Sequence, residues 1–367
     1  MKQLRLLALV LALGLLLGAC TDSTPSAKDK TSPSPSISAS TPVPPAPPPI
    51  APLTGLRTTA AILKRPALAI KIDNHSDARP QVNLDRADIV YEEPVEGGIT
   101  RFIAVFHSRD ADKIGPVRSA RLTDLDVLAQ FNRPLLAFSG AATYVLRAVR
   151  VAVRNKLIIS MPHGAFGGLY RRDNSRWVAP HNLFTSTGGL WRAARSRRPG
   201  PAPKLFTFGA LVPPPPLPVA ASSATPSPTP IPRAFPAGRR VIVPFGGAYT
   251  ADWRYAGRYR KYLRWTGGRS HRLVGGRQIS ASNVVIMIVR TSSKNRAAAR
   301  KGTPQLGLVG SGPVVLYRNG VRVTGRWSRA NLRSPTRFTD GFGRPMIFAP
   351  GNTWFELVPT RIHPRYL

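Results

Sequence analysis

Acidic side chains are scarce: 17 Asp and Glu stand against 53 Lys and Arg, giving this 367-residue chain a formal net charge of +36. Cysteine is scarcer still, with Cys20 alone. One thiol excludes a disulfide framework and a thiolate metal centre. Long apolar runs are missing too; the run at 6 to 17 is too short for an ordinary membrane-spanning helix. The common catalytic signatures are also absent. FSGAA around Ser139 is not a GxSxG elbow, there is no phosphate-binding loop and no HExxH, and GFGRP at 341 to 345 has only two glycines of a dinucleotide fingerprint.

The apolar run is informative in its setting. Lys2 and Arg5 precede it, and LGAC at 17 to 20 follows it. A charged start, a short apolar core and a small-residue cleavage site describe a secretory signal over residues 1 to 19. With cysteine next, the pattern is that of a lipobox, in which Cys20 is diacylated with palmitate-type chains and becomes the mature N-terminus. Two chains anchor stably where one does not. This places the protein on the outer face of the cell membrane, lipid-anchored. It also removes the thiol from any cysteine-dependent wall chemistry.

Export argues against nucleic acid as a physiological partner and leaves anionic lipid headgroups, a wall polymer or an envelope protein as targets for the positive charge. Arg is spread without a dense run, and Ala, Pro and Gly are abundant. A GC-rich coding sequence yields the same composition, so the charge has a compositional reading beside the functional one.

Two segments cannot fold alone. Residues 20 to 53 are Ser, Thr and Pro with few large apolar side chains, and read as a tether. Residues 212 to 238 repeat that composition and read as a linker or insertion. Two bodies remain, 54–211 and 239–367. In the first, PALAIKI (66 to 72) and the two runs either side of Gly97-Gly98 within 87 to 108 read as strands. LTDLDVLAQFN (122 to 132), stopped by Pro134, and TYVLRAVRVAVRNKL (143 to 157) read as helices. The second body is mostly strands, with Asn319-Gly320 marking a two-residue hairpin. The expected class is α+β: a layered sandwich followed by a mainly β domain.

Eleven of the 17 acids lie between Asp73 and Asp126, and only four follow. Asp124 and Asp126 suit a helix N-terminus. The others alternate with cations, as ion pairs would. One reading is a set of pairs holding loops to a sheet. The other is a polar cleft in which Asp73, His75, Glu92, Glu96, Arg118 and Arg121 converge on a sugar, a phosphate or a charged peptide end. A second loop histidine, His181, stands beside Asn182. With His75, Asp73 and Glu92 it could form an oxygen-rich cation site, but no paired-His spacing supports that, and neither metal nor cofactor is assigned. Enzymatic activity is left open. The alternative to a binding protein is a hydrolase of a wall glycan, peptide or phosphodiester, using Asp73, Glu92 or Glu96 with Arg118 and Arg121.

The stretches AIKIDNHSDARPQVNLDRADIVYEEPVEGGITRFIAVFHS, KIGPVRSAR and YRRDNSRWVAPHNLF closely resemble the YerB-like family of bacterial lipoproteins, whose biochemical role is unassigned. WRYAGRYRKYLR, SHRLVGG, ISASNVVIM and GNTWFELVP resemble the family's C-terminal domain. The resemblance covers about 54 to 367 apart from the Pro-rich insertion, and implies a YerB-like N-terminal domain followed by a YerB-like C-terminal one. It also implies that the strongest motif residues are Asp73, Asn74, His75, Arg79, Glu92, Glu96, Gly97, Gly98, Arg101, Arg118, Arg121, His181 and Asn182. Two positions depart from the pattern: Ala256 and Leu273 stand where acids are usual.

Overall fold

The computed structural model describes residues 47–215, 234–292 and 302–367. The signal segment, Cys20, most of the tether and the middle of the Pro-rich stretch lie outside the described residues. The described body begins at Pro47. Ala51 and Leu53, assigned to the tether by composition, are buried in it.

Strands β1 (Leu68–Asp73), β2 (Ile89–Pro94), β3 (Thr100–Phe106), β4 (Leu135–Phe138) and β5 (Ile159–Pro162) come from the first segment, followed by the short pair β6 (Tyr170–Arg172) and β7 (Leu183–Thr185). After β8 (Thr207–Phe208), the second segment supplies β9 (Arg240–Pro244), β10 (Thr250–Ala256), β11 (Lys261–Thr266), β12 (Arg269–Ser270) and β13 (Ser280–Ala281). The series continues with β14 (Asn283–Ser292), β15 (Gln305–Gly307), β16 (Gly310–Arg318), β17 (Val321–Arg329) and β18 (Arg337–Asp340). It ends with β19 (Ile347–Phe348), β20 (Thr353–Pro359) and β21 (Arg365–Tyr366). The helices are α1 (Ala60–Leu63), α2 (Leu122–Leu128), α3 (Thr143–Arg154) and α4 (Thr187–Ala194).

One mixed sheet of 11 strands runs through both segments in the order β18-β17-β16-β14-β20-β2-β3-β1-β4-β5, with β15 beside β14. The join is β20, parallel to β2 on one side and to β14 on the other. Strands β1, β2 and β3 are buried on both faces, which is why they read as near-continuous apolar runs. Gly97 and Gly98 both take positive φ, 71° and 69°, turning β2 into β3 where a side chain would be strained. Strand β4, α3 and β5 form a parallel crossover. The helix presents Val145, Val149 and Ala152 inward.

Each face of the large sheet is covered. On one side α2, α3 and aromatic residues such as Phe206, Phe348 and Phe355 close a core over Ala69, Tyr91, Ile103 and Val105. On the other, the six-stranded sheet built on β12-β11-β10-β9-β21 packs over Ile70, Ile72, Val90, Phe102 and Ala104. The result is an α+β layered body with a mainly β second segment. No helix among the described residues is long and apolar enough to cross a membrane.

Candidate functional site

Side chains alternate along a strand, and directly opposed residues share a face. Lys71 and Asp73 therefore point to the helix-covered face. Arg101, opposite both Asp73 and Glu93, joins them there. Glu92, opposite Phe102, points to the other face, toward the second sheet. The expected constellation thus divides at the large sheet into two groups.

The first group is centred on Asp73, which is fully buried at the end of β1. Its Oδ1 accepts the His75 amide at 3.0 Å. Its Oδ2 lies 2.7 Å from His181 Nδ1 and 2.8 Å from Arg118 Nε. Burial pushes the carboxyl up, but the His75 amide, His181 and the Arg118 and Arg101 charges outweigh it and hold the group below the usual range. An anionic Asp73 accepts a hydrogen bond from Nδ1–H of His181, which in the neutral ring leaves the lone pair on Nε2. The His75 ring stacks on His181 with centroids 4.6 Å apart.

Beside them lie Arg101, Arg121 and Glu96. Arg121 donates to Glu96 Oε2 from Nη2 (2.5 Å) and Nε (3.1 Å). The Thr303 hydroxyl donates to the other Glu96 oxygen. Burial raises the Glu96 carboxyl, but Arg121 and Thr303 bring it below the ordinary value. Arg101 donates from Nη1 to Ser119 O at 3.1 Å, while its buried Nε has no partner. Burial, followed by the Arg121 charge, pushes its guanidinium down to about 10.

The second group is dry. Glu92 Oε2 is 2.6 Å from Arg264 Nη2, and Glu356 Oε1 is 3.0 Å from Arg264 Nη1; all three side chains are fully buried. Glu92 and Glu356 face each other in the β2–β20 ladder. Burial, then the Glu92 charge, raises Glu356 well above its ordinary value, with Arg264 pulling the other way, so two facing carboxyl groups meet one guanidinium. Trp253 Nε1 donates to Glu356 at 2.7 Å, and Thr100 Oγ donates to Glu92 at 2.6 Å. Burial and the Arg264 and Arg79 charges keep His271 neutral. The ring joins Thr266 Oγ1 (2.8 Å) to Gln81 Oε1 (2.9 Å) across the two segments.

Asn74 links the groups. It follows Asp73 in the chain, and its amide donates to Thr100 Oγ1 at 2.7 Å. Arg79 clamps Asn74 through Oδ1 (3.1 Å) and the carbonyl (2.8 Å). Asn182 does not join either group; its Oδ1 accepts from Arg172 at 2.6 Å and ties down the β6–β7 pair. Sequence reading missed Arg264, His271, Gln81 and Glu356. All four lie inside stretches that carry the family resemblance, and Glu356 is also one of the four acids after residue 126, but nothing in those stretches says that they meet. Leu273, where the resemblance led to an acid, is buried in the core between the sheets.

His75, Asp77 and His181 each offer a metal-ligating atom, all within 4.8 Å of one another. The stacked rings do not aim in-plane lone pairs at one point, so a shared ion would require one ring to turn. Every carboxylate in the expected set is engaged by an arginine: Asp73 by Arg118, Glu96 by Arg121, Glu92 by Arg264.

The fold and these clusters define a class: a two-segment α+β protein whose halves share one sheet and are linked by buried carboxylate–arginine pairs. Its N-terminal part, residues 53–200, matches the family described as "Protein of unknown function (DUF3048) N-terminal domain", and residues 241–355 match that family's C-terminal domain. The chain belongs to this family. It is 29% identical over 322 residues to "Putative lipoprotein YerB" of Bacillus subtilis (strain 168), covering 84% of this chain and 86% of the relative. The crystal structure of YerB protein from Bacillus subtilis is similar in fold, with a TM-score of 0.70 at 24% identity over 86% of this chain and 99% of that one.

Proposed function

We propose that this protein is a lipoprotein, acylated at Cys20 and displayed on the outer face of the membrane, that binds an envelope component without chemistry of its own. The name of the Bacillus relative and the LGAC pattern support the anchor. The observation that carries the binding reading is that Asp73, Glu96 and Glu92 are each paired with an arginine, so none of these three stands free as a base. In the Asp73 group three guanidiniums, Arg101, Arg118 and Arg121, face two carboxylates. That balance suits an anionic group such as a wall-polymer phosphate or a carboxylate.

The test uses residues 47–367 with cell-wall fragments and wall polymers at low and high salt, read by mass spectrometry. Salt-resistant retention, weakened about tenfold by Arg118→Ala as befits loss of one charge-assisted contact, supports the reading. Retention that vanishes with salt and ignores the substitution assigns binding to the overall charge. New products that disappear in His181→Ala would favour the hydrolase, with His181 Nε2 as base oriented by Asp73.

A further inference from the structure

Lys71, Glu93 and Asp124 meet beneath α2 in the helix-side core, next to the Asp73 group, with Glu93 opposite Arg101 and Asp124 accepting the Arg121 amide. Their side chains are 0%, 1% and 0% exposed. Lys71 Nζ contacts Glu93 Oε1 and lies 2.6 Å from Asp124 Oδ1. The other Asp124 oxygen, Oδ2, accepts the Arg121 amide at 2.8 Å. Glu93 Oε2 has no hydrogen-bond partner. Tyr91, Ile103, Leu125 and Leu128 belong to the same core.

As three ions this cluster carries one uncompensated negative charge in a dry core, an expensive arrangement. Burial raises the Glu93 carboxyl, and Asp124's charge adds to that against the lowering pull of Lys71, which favours the protonated acid. One proton passed from Lys71 Nζ to Asp124 Oδ1 across their 2.6 Å contact gives an amine beside a carboxylic acid. These are the reactants of an amide condensation, held at an effective concentration far above any in solution.

We propose that Lys71 and Asp124 are joined by an isopeptide bond, with Glu93 as the proton carrier. The Nζ lone pair attacks Cγ of Asp124, and the charge that develops on Oδ2 is met by the Arg121 N–H. Glu93 gives its proton to Oδ1 and takes one from Nζ. The Cγ–Oδ1 bond breaks, Oδ1 leaves as water, and Oδ2 remains as the amide carbonyl on the same N–H. Glu93 ends protonated as it began, and no oxidant or cofactor is consumed.

The test takes the full-length protein from membranes in detergent, denatures it in guanidinium, digests it with trypsin and sequences the peptides by mass spectrometry. The expected product joins the Lys71 peptide to the Asp124 peptide at one water less than their sum, with no cleavage after Lys71. Separate peptides and cleavage after Lys71 overturn the proposal, as does a link located at Glu93. Asp124→Ala and Glu93→Gln are expected to give linear peptides. A link that persists in Glu93→Gln overturns the proton-carrier role. Misfolding of either variant leaves the wild-type digest decisive.

Discussion

Asp73 and Glu356 are both buried acids in contact with arginine, yet burial is outweighed at one and not at the other. Asp73 has an amide, a histidine and two arginines around it, and its folded value falls. Its stabilising contribution is present above the ordinary carboxyl range and is lost as pH falls through the lowered value. Glu356 faces a second carboxylate, and its folded value rises. Its contribution is complete below the unfolded value of about 4.3 and is lost as pH climbs through the folded one. Glu356→Gln keeps the acceptor for Trp253 and Arg264 and removes the titration. Urea midpoints should therefore match wild type in acid and exceed it in alkali, by at least about 1 kcal/mol if the shift spans one pKa step. A variant with the wild-type alkaline decline would show that Glu356 is ionised in the fold.

Elements with a local signal were legible. Asn319-Gly320 forms the turn between β16 and β17, with φ of 49° and 79°. A Cβ on Gly320 would come within 2.8 Å of the Tyr255 ring. Gly320→Ala should thus cost about 1–3 kcal/mol through backbone strain and this clash, seen as a lower denaturation midpoint with unchanged far-UV circular dichroism. The strands at β1, β2 and β3 and helices α2 and α3 follow from periodicity. Helix α2 stops at Leu128, short of the expected residue 132, and the chain then turns through Asn132 and Arg133 at positive φ ahead of Pro134. What periodicity could not supply is the partner of a strand. Glu92 reads as one of several acids in a basic chain, and its pairing with Arg264 and Glu356 exists only because β20 lies beside β2. The separation of Asp73 from Glu92 likewise depends on which face each takes, and the turn at Asn74 conceals it.

For the whole molecule, two bodies with a linker between them is the natural reading of composition, and the Pro-rich stretch does lie between the two family matches. The halves nevertheless share a sheet and a buried network from Gln81 to His271. Residues 47–215 produced alone would expose the β2 edge and the unpaired Glu92; residues 234–367 alone would expose the β20 edge and an Arg264 that has lost Glu92. Each is expected to aggregate, and the two co-expressed to form a soluble one-to-one complex on size exclusion. A monomeric, cooperatively unfolding fragment from either half would contradict this. Strand β20 has a further consequence. Strand β20, more than 250 residues after β2, lies in the middle of the central sheet, so the sheet cannot close until residues 353–359 have emerged. A product cut short before Thr353 leaves β2 and β14 with open edges on either side of a gap. The topology thereby makes β20 a checkpoint: a chain interrupted ahead of it is expected to stay open to proteolysis, and one that includes it can complete the sheet.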